Sequence, residues 1–394
     1  MIYNKPRKIF HLSYKDTHFK SLNEWIPAPN VIYYFHPYDE LQSGIRLINA
    51  VDDVHWDHLR SEPTAKFLYE NCGETFTFEV ADQIKSLIEL KQIPPNKIFM
   101  LVMDNVHKTF IEDRFKELNV QGVTIGIHNV WFNLTKTIDT SYSNIFQTTK
   151  FSALSRRYVK WRLYLYASLA KKNLLNNFEY SFNNIHPYGD VVHYSKDTML
   201  YDLKETKFGE ITSTVLDWLD KVPYTLPGGS NVKNGWENST YNVLLSANIH
   251  LLIESQYDFF YVPKGPDNIY NRKLAPSCIS EKFYKTVSCE RPFIAYATPY
   301  FLEQVRELGF KTFSPYINES YDLELDHNKR ADMIVSEVER ISNLSNDEYQ
   351  LLVIQCQTIA QYNKKLFISM KEDVTYNTNF NFLIDHWKVL HIIH

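Results

Sequence analysis

Three short stretches of this 394-residue chain hold polar residues at spacings that could do chemistry. The first is Ser280-Glu281-Lys282-Phe283-Tyr284-Lys285. A Ser followed at once by an acid and two lysines fits the first turn of a helix, where free N–H groups and the helix dipole attract anions. There Lys282 and Lys285 would hold phosphate oxygens, and Glu281 could accept from two vicinal hydroxyls of a ribose. The plain alternative is a surface helix, since acids favour any first turn and a Lys four residues on from Glu281 pairs with it. The second stretch is Glu254-Ser255, just beyond the apolar run Leu251–Ile253. Ligands of open α/β sheets bind at the carboxyl ends of strands. The third is Arg156, Arg157 and Arg162, following the strand-like Phe151–Leu154. Three arginines so close are costly unless an anion arrives; otherwise they form a solvated helix face.

Candidates for a proton acceptor come from the first half: Asp52, Asp53 and Glu70, expected in loops, then Asp104 at the end of the strand-like Lys97–Met103, and His128 directly after Val123–Ile127. Asp104, His128 and Asp53 are carried forward as catalytic candidates. Each also suits a capping or turn role, for which strand-end acids are favoured. There is no HExxH and no DxD in a suitable loop, so no metal site is expected. With only 11 glycines, the chain has neither GxGxxG nor GxxxxGK[ST], which leaves side-chain cations and a helix start to bind phosphate.

The elements that must position these residues alternate. Val31–Phe35, Lys97–Met103 and Val123–Ile127 read as buried parallel strands. Between them Glu79–Lys91 has helical spacing, with Val80, Ile84, Leu87 and Leu90 on one face, and Lys108–Leu118 is a second crossover helix. Thr135–Thr149 is polar and aperiodic, as a domain connection would be. Beyond it come a strand at Phe151–Leu154 and a helix to Leu174, then an irregular region over Asp190–Pro227. A short helix at Thr240–Asn248 leads into the strand Ile249–Ile253. The helix opening near Ser280 is stopped by Pro292. Phe293–Tyr296 is a strand, Pro299–Leu308 a helix closed by Gly309, and Lys311–Phe313 a further strand. Arg330–Lys365 and Phe380–Ile393 are helical by spacing. This order predicts an α/β protein of two doubly wound domains.

Composition narrows the function classes. The chain is 44% hydrophobic and 22% charged with a net charge of −4, ordinary for a globular protein and unlike a generic, basic nucleic-acid coat. An enzyme touching DNA through one local patch stays open; Lys5, Arg7, Lys8, Lys15, Lys20, Lys108 and Arg114 could form it. No apolar run approaches the ~20 residues of a membrane span, and the N-terminus lacks the apolar core of a signal peptide. Cys72, Cys278, Cys289 and Cys356 are scattered, which suits a reducing, cytoplasmic compartment.

The second half resembles the donor domain of α1,3-fucosyltransferases. The matching residues are Glu254-Ser255 and Ser280-Glu281-Lys282-Phe283, with Arg162 as counterpart of an upstream phosphate-binding arginine. Two departures stand out. The family has Asn between the Glu and Ser, and the loop Tyr257–Ile279 is longer here. Lys150–Leu175 and Ser280–Tyr321 are similar to glycosyltransferases of tailed bacteriophages, some of which modify hydroxymethylated DNA bases. The resemblance implies a GT-B fold, with two Rossmann-like domains facing a cleft: an acceptor-side domain over 1–145, a donor domain over 146–372 and a C-terminal helix over 373–394 packing back on the first. It implies a nucleotide-diphosphate sugar as co-substrate, UDP-sugar favoured and GDP-sugar the alternative, held by Arg156, Arg157, Arg162, Glu254, Ser280, Glu281, Lys282 and Lys285. The expected acceptor is 5-hydroxymethylcytosine in duplex phage DNA, which would require flipping the base out. A surface glycan or small saccharide is the second reading, and a non-enzymatic nucleotide- or DNA-binding protein the third. No membrane partner is expected, and a phage-encoded chain would work in the host cytoplasm.

Overall fold

The structure is a computed structural model that describes residues 7–8, 32–35, 53–63, 65–71, 79–127, 135–140, 146–155, 158–184, 194–224, 238–254 and 277–372. The chain divides into two compact units. One comprises Met1–Leu134, Phe260–Cys278 and Met370–His394; the other comprises Thr135–Phe259 and Ile279–Ser369.

The first unit is built on one sheet of β1 (Arg7–Lys8), β2 (Ile32–Phe35), β3 (Lys66–Asn71), β4 (Ile98–Val102) and β5 (Thr124–Ile127), lying side by side in chain order. β1 runs antiparallel to β2, and the other neighbours are parallel. All of β4 is buried, as an uninterrupted apolar run covered on both faces should be. The helices α1 (Asp53–Ser61), α2 (Glu79–Leu90) and α3 (Asn105–Glu117) supply the crossovers. Trp56, Val80, Ile84, Leu87, Ile111 and Phe115 pack from them against Phe67, Tyr69, Ile98 and Met100. Leu90, expected on that buried face, is instead 68% exposed, because it is the last residue of the helix. Asp53 opens α1 and Glu70 lies within β3, so neither is the loop residue expected. The buried Lys97 donates to the carbonyl oxygens of Leu59 (2.6 Å) and Glu62 (2.7 Å), closing the C-terminal end of α1.

The second unit carries a fully parallel sheet of β6 (Thr149–Ser155), β7 (Phe178–Phe182), β8 (Ala247–Ile253) and β9 (Phe293–Tyr296), in the order β7-β6-β8-β9. Every residue of β8 is buried. After β6 the chain moves outward to β7, whereas after β8 it moves the opposite way to β9. The order therefore reverses between β6 and β8, and a reversal of this kind leaves a crevice at the carboxyl ends of the two strands.

Around the sheet stand α4 (Lys160–Lys171), α5 (Lys196–Glu205), α6 (Ser213–Leu219), α7 (Asn238–Leu245), α8 (Glu281–Ser288), α9 (Phe301–Glu307), α10 (His327–Ser342) and α11 (Asn346–Glu372). α4 is buried from Arg162 to Ala170 because α5, α6 and α10 all pack on it. Two expectations are corrected here. The stretch Asp190–Pro227, expected to be irregular, contains α5 and α6, whose Met199, Leu203, Val215 and Trp218 are buried. Lys311–Phe313 joins no strand. Its backbone is satisfied by side chains instead: Lys311 N donates to Asn363 Oδ1 and Asn363 Nδ2 donates back to Lys311 O, both at 2.8 Å, while Phe313 N donates to Glu319 Oε1 at 2.5 Å. Gly309, at φ +91°, closes α9 as the sequence suggests. The expected helix Phe380–Ile393 lies outside the described residues.

Candidate functional site

The carboxyl ends of β6 and β8, where the strand order reverses, are where the second unit gathers its unusual side chains. Glu254 follows β8 directly, and its N–H extends the ladder by donating to Tyr296 O at 3.1 Å. That fixes its backbone and points an acid, 1% exposed, into the protein. Its partner comes from the start of α8. Ser280 Oγ donates to Glu254 Oε2 at 2.5 Å and Ser280 N to Oε1 at 3.3 Å. Ser280 is also the N-cap of α8, accepting from Lys282 N at 3.3 Å. One serine thus ties the helix start to the strand end.

Lys282 stands over this pair. Its Nζ lies 3.2 Å from Ser280 Oγ, 3.6 Å from Glu281 Oε1 and 3.9 Å from Glu254 Oε2. Its side chain is 25% exposed, whereas Lys285, one turn on, is buried. Burial lowers the Lys285 ammonium below its ordinary pKa, opposed by Glu281 and reinforced by Lys282. Burial also pushes the Glu254 carboxyl up, against the pull of Lys282 and the Ser280 hydroxyl, with Glu281 adding repulsion. Burial works the same way on Glu281, but Lys282 and Lys285 outweigh it and hold that carboxyl below its ordinary value. Two acids side by side are thereby pushed in opposite directions.

From the other strand of the crevice, α4 delivers Arg162. This buried guanidinium donates through Nη2 to the carbonyl oxygen of Glu254 at 3.3 Å and lies over the Trp161 ring at 4.8 Å. Trp161 is in turn packed against Tyr296, ring centroids 5.5 Å apart, and accepts the Tyr296 hydroxyl at its own carbonyl, 2.7 Å. The structure therefore brings together Arg162, Glu254, Ser280, Glu281, Lys282 and Lys285. Trp161 and Tyr296 complete this corner unannounced by the motifs; for Trp161 the signal available was an aromatic directly beside an arginine at a helix start. Arg156 and Arg157 lie outside the described residues. Chemically, the arrangement offers an accessible ammonium, a fixed guanidinium and the amide N–H groups of a helix start for an anion, with a carboxylate for hydroxyls.

In the first unit, Asp104 sits past the end of β4 as the N-cap of α3. Its Oδ1 accepts from His107 N at 2.9 Å and lies 2.7 Å from His107 Nδ1. Burial opposes ionisation of Asp104, yet His107 outweighs it and holds the carboxyl below its ordinary value. Oδ2 of Asp104 has no hydrogen-bond partner among the described residues. His107, three residues on, was overlooked by the sequence reading. His128 and Asp52 lie outside the described residues, and so does the side chain of Asp53. Of the basic residues considered for a DNA patch, Lys108 lies 3.8 Å from Glu112, and Arg114 pairs with Glu117 at 2.8 Å and Asp82 at 3.2 Å. Lys5, Lys15 and Lys20 are outside the described residues. No cluster of three or more His, Cys, Asp or Glu able to hold a metal occurs among the described residues. No described helix is long and apolar enough to cross a membrane.

No family model matches the chain. No curated protein sequence matches it either. Two solved structures are loosely similar in fold. One is from E. coli, described as trehalose-6-phosphate bound with UDP-2-fluoro glucose; it has a TM-score of 0.40 and 9% identity, over 89% of this chain and 74% of that one. The other is a glycosyltransferase from Rickettsia africae ESF-5, with a TM-score of 0.38 and 9% identity, over 79% and 70%.

Proposed function

We propose that the second unit binds a nucleoside-diphosphate sugar and that the chain is a glycosyltransferase of GT-B type. The observation that carries this is the convergence of Arg162, Glu254, Ser280, Glu281 and Lys282 on the crevice where the parallel strand order reverses. In this reading Lys282, Arg162 and the first N–H groups of α8 neutralise the diphosphate and so assist its departure. Glu281, kept ionised by its two lysines, accepts from the donor ribose. Lys285 belongs to the donor set as well and sustains the charge of Glu281, and Glu254 with Ser280 positions Lys282 before the donor arrives. Arg156 and Arg157 belong to the same assignment through the fucosyltransferase resemblance. A UDP-sugar is the favoured donor.

For the acceptor, the phage resemblance supports 5-hydroxymethylcytosine in duplex DNA, with Asp104 as the leading candidate for the base, ahead of His128 and Asp53. A small saccharide or surface glycan is the second reading. It is favoured by the net charge of −4 and by the ion pairs already engaging Lys108 and Arg114. Calorimetric titration with UDP and with GDP, followed by donor turnover with and without hydroxymethylated DNA, tests both. Binding of one nucleotide and acceptor-dependent turnover are expected; failure of both nucleotides to bind sinks the donor site. Turnover unaffected by DNA but stimulated by a saccharide selects the second reading, as does a lack of salt-dependent DNA binding.

A further inference from the structure

Lys282 is shared. Its ammonium is placed by the Ser280 hydroxyl at 3.2 Å and lies within 4 Å of both Glu281 Oε1 (3.6 Å) and Glu254 Oε2 (3.9 Å). A diphosphate arriving at the start of α8 must draw this ammonium away from carboxylates that already use it. The two acids are not equally placed to lose it. Glu281 also feels Lys285. Glu254 is 1% exposed, and water cannot replace the cation it gives up.

We propose that binding of a nucleoside-diphosphate sugar at Lys282 is coupled to uptake of a proton by Glu254. The inference rests on the donor-site reading above. Two effects act with the same sign: Lys282 turns toward phosphate, and phosphate brings new negative charge close to the carboxylate. Among the described residues, the groups facing Glu254 include Ser280, Glu281 and Lys282 from α8, with Lys285 one turn further; Arg162 from α4, bonded to its carbonyl; and the Tyr296 backbone from β9. Lys282 is foremost among those favouring the anion, and burial already biases the carboxyl toward its neutral form. The proton comes from buffer and joins a carboxylate oxygen. As a neutral acid, Glu254 can donate to the Ser280 Oγ from which it now accepts, so the pair persists with the proton's direction reversed.

UDP-glucose and GDP-mannose are suitable probes, because neither has a phosphate titrating near neutrality. Titration calorimetry at about pH 6.5 in buffers of different ionisation enthalpy counts the protons exchanged on binding. A fraction of a proton approaching one should be taken up per site, and affinity should fall as pH rises, by at most about tenfold per unit. Glu254→Gln should bind with no linked proton and a flat pH profile. Should that variant fold poorly, difference infrared spectra of the wild type provide the second readout: a protonated-carboxyl band should grow when the probe is added. Binding with no linked proton and no such band overturns the inference and leaves the donor site intact. If neither probe binds, both the inference and the donor-site reading fall.

Discussion

The guanidinium of Arg162 donates to the carbonyl oxygen of Glu254, 3.3 Å away, and so joins the first turn of α4 to the end of β8. The strands that precede these residues, β6 and β8, send their chains to opposite sides of the sheet. The bond therefore spans the point where the fold opens. Stacking on Trp161 at 4.8 Å fixes the guanidinium plane, and the Tyr296 hydroxyl fixes Trp161. An anion meeting Arg162 meets a cation that has little side-chain freedom left to lose, which favours binding.

Replacement of Lys282 by Ala removes the accessible ammonium of the site while leaving the Ser280–Glu254 pair in place. Affinity for UDP or its sugar conjugate should fall by about 1.5–3 kcal/mol, the range for a hydrogen bond to a charged group. Calorimetry checks this, and an unchanged dissociation constant would take Lys282 out of the donor site.

Ser280→Ala should cost stability as well as binding. It deletes the cap of α8 and the hydroxyl that donates to the buried Glu254 carboxylate. Loss of a cap costs about 1 kcal/mol, and a buried acceptor left short costs about 1–3 kcal/mol. Denaturant unfolding should show a loss in that range, and Ser280→Thr, which keeps the hydroxyl, should restore most of it.

Asp104 has two candidate roles that separate by substitution. Asn can still cap α3 but gives up the charge that engages His107, so Asp104→Asn should lose less stability than Asp104→Ala, which forfeits about 1 kcal/mol for the cap as well. If Asp104 is also the base, both variants lose sugar transfer and retain donor binding. Wild-type turnover in Asp104→Asn would reduce Asp104 to a cap that orients His107.

Stability should depend on pH through Asp322. Its carboxylate accepts from Leu302 N at 2.9 Å and from Glu303 N at 3.3 Å, holding the start of α9. Burial nevertheless raises its pKa from 3.8 to about 6. A folded-state pKa above the unfolded one means that the native state binds the proton more tightly. The contribution is present in full below 3.8 and is lost as pH rises through about 6. The stability of Asp322→Asn relative to wild type should therefore improve between about pH 4 and 6 and level off above. A difference that does not change with pH would contradict this.

Much of the frame was legible in the residue pattern. β9 matches its apolar run, β4 and β8 lie within a residue or two of theirs, and α8 opens where Ser280 and Glu281 mark a cap and a first turn. β7 was missed although Phe178, Tyr180 and Phe182 alternate with less buried residues, because a short strand next to polar sequence gives a weak period-2 signal. α5 and α6 were missed for a related reason: each shows the core only a few apolar residues, and Tyr201 on α5 is 60% exposed. The pairing of Glu254 with Ser280 could be anticipated only as proximity in a motif. The role of Tyr296 was invisible, since it depends on where the backbone carries a neighbour, whereas Trp161 beside Arg162 and His107 three residues after Asp104 left a local trace. The strand expected at Lys311–Phe313 failed because apolar alternation does not reveal that Asn363 and Glu319 will occupy its hydrogen-bonding groups.

The rim of the second sheet has a consequence for assembly. In the β8–β9 ladder the N–H of Ala295 points away from β8, and it is taken at 3.1 Å by the phenol oxygen of Tyr321. Among the described residues, an aromatic hydroxyl at Ala295 and the Asn363 amide on the 311–313 segment occupy backbone groups on the β9 side of the sheet. Unpaired borders are what let sheets from separate molecules zip together. At Ala295 the outward N–H that another chain would need is already spent on the Tyr321 hydroxyl.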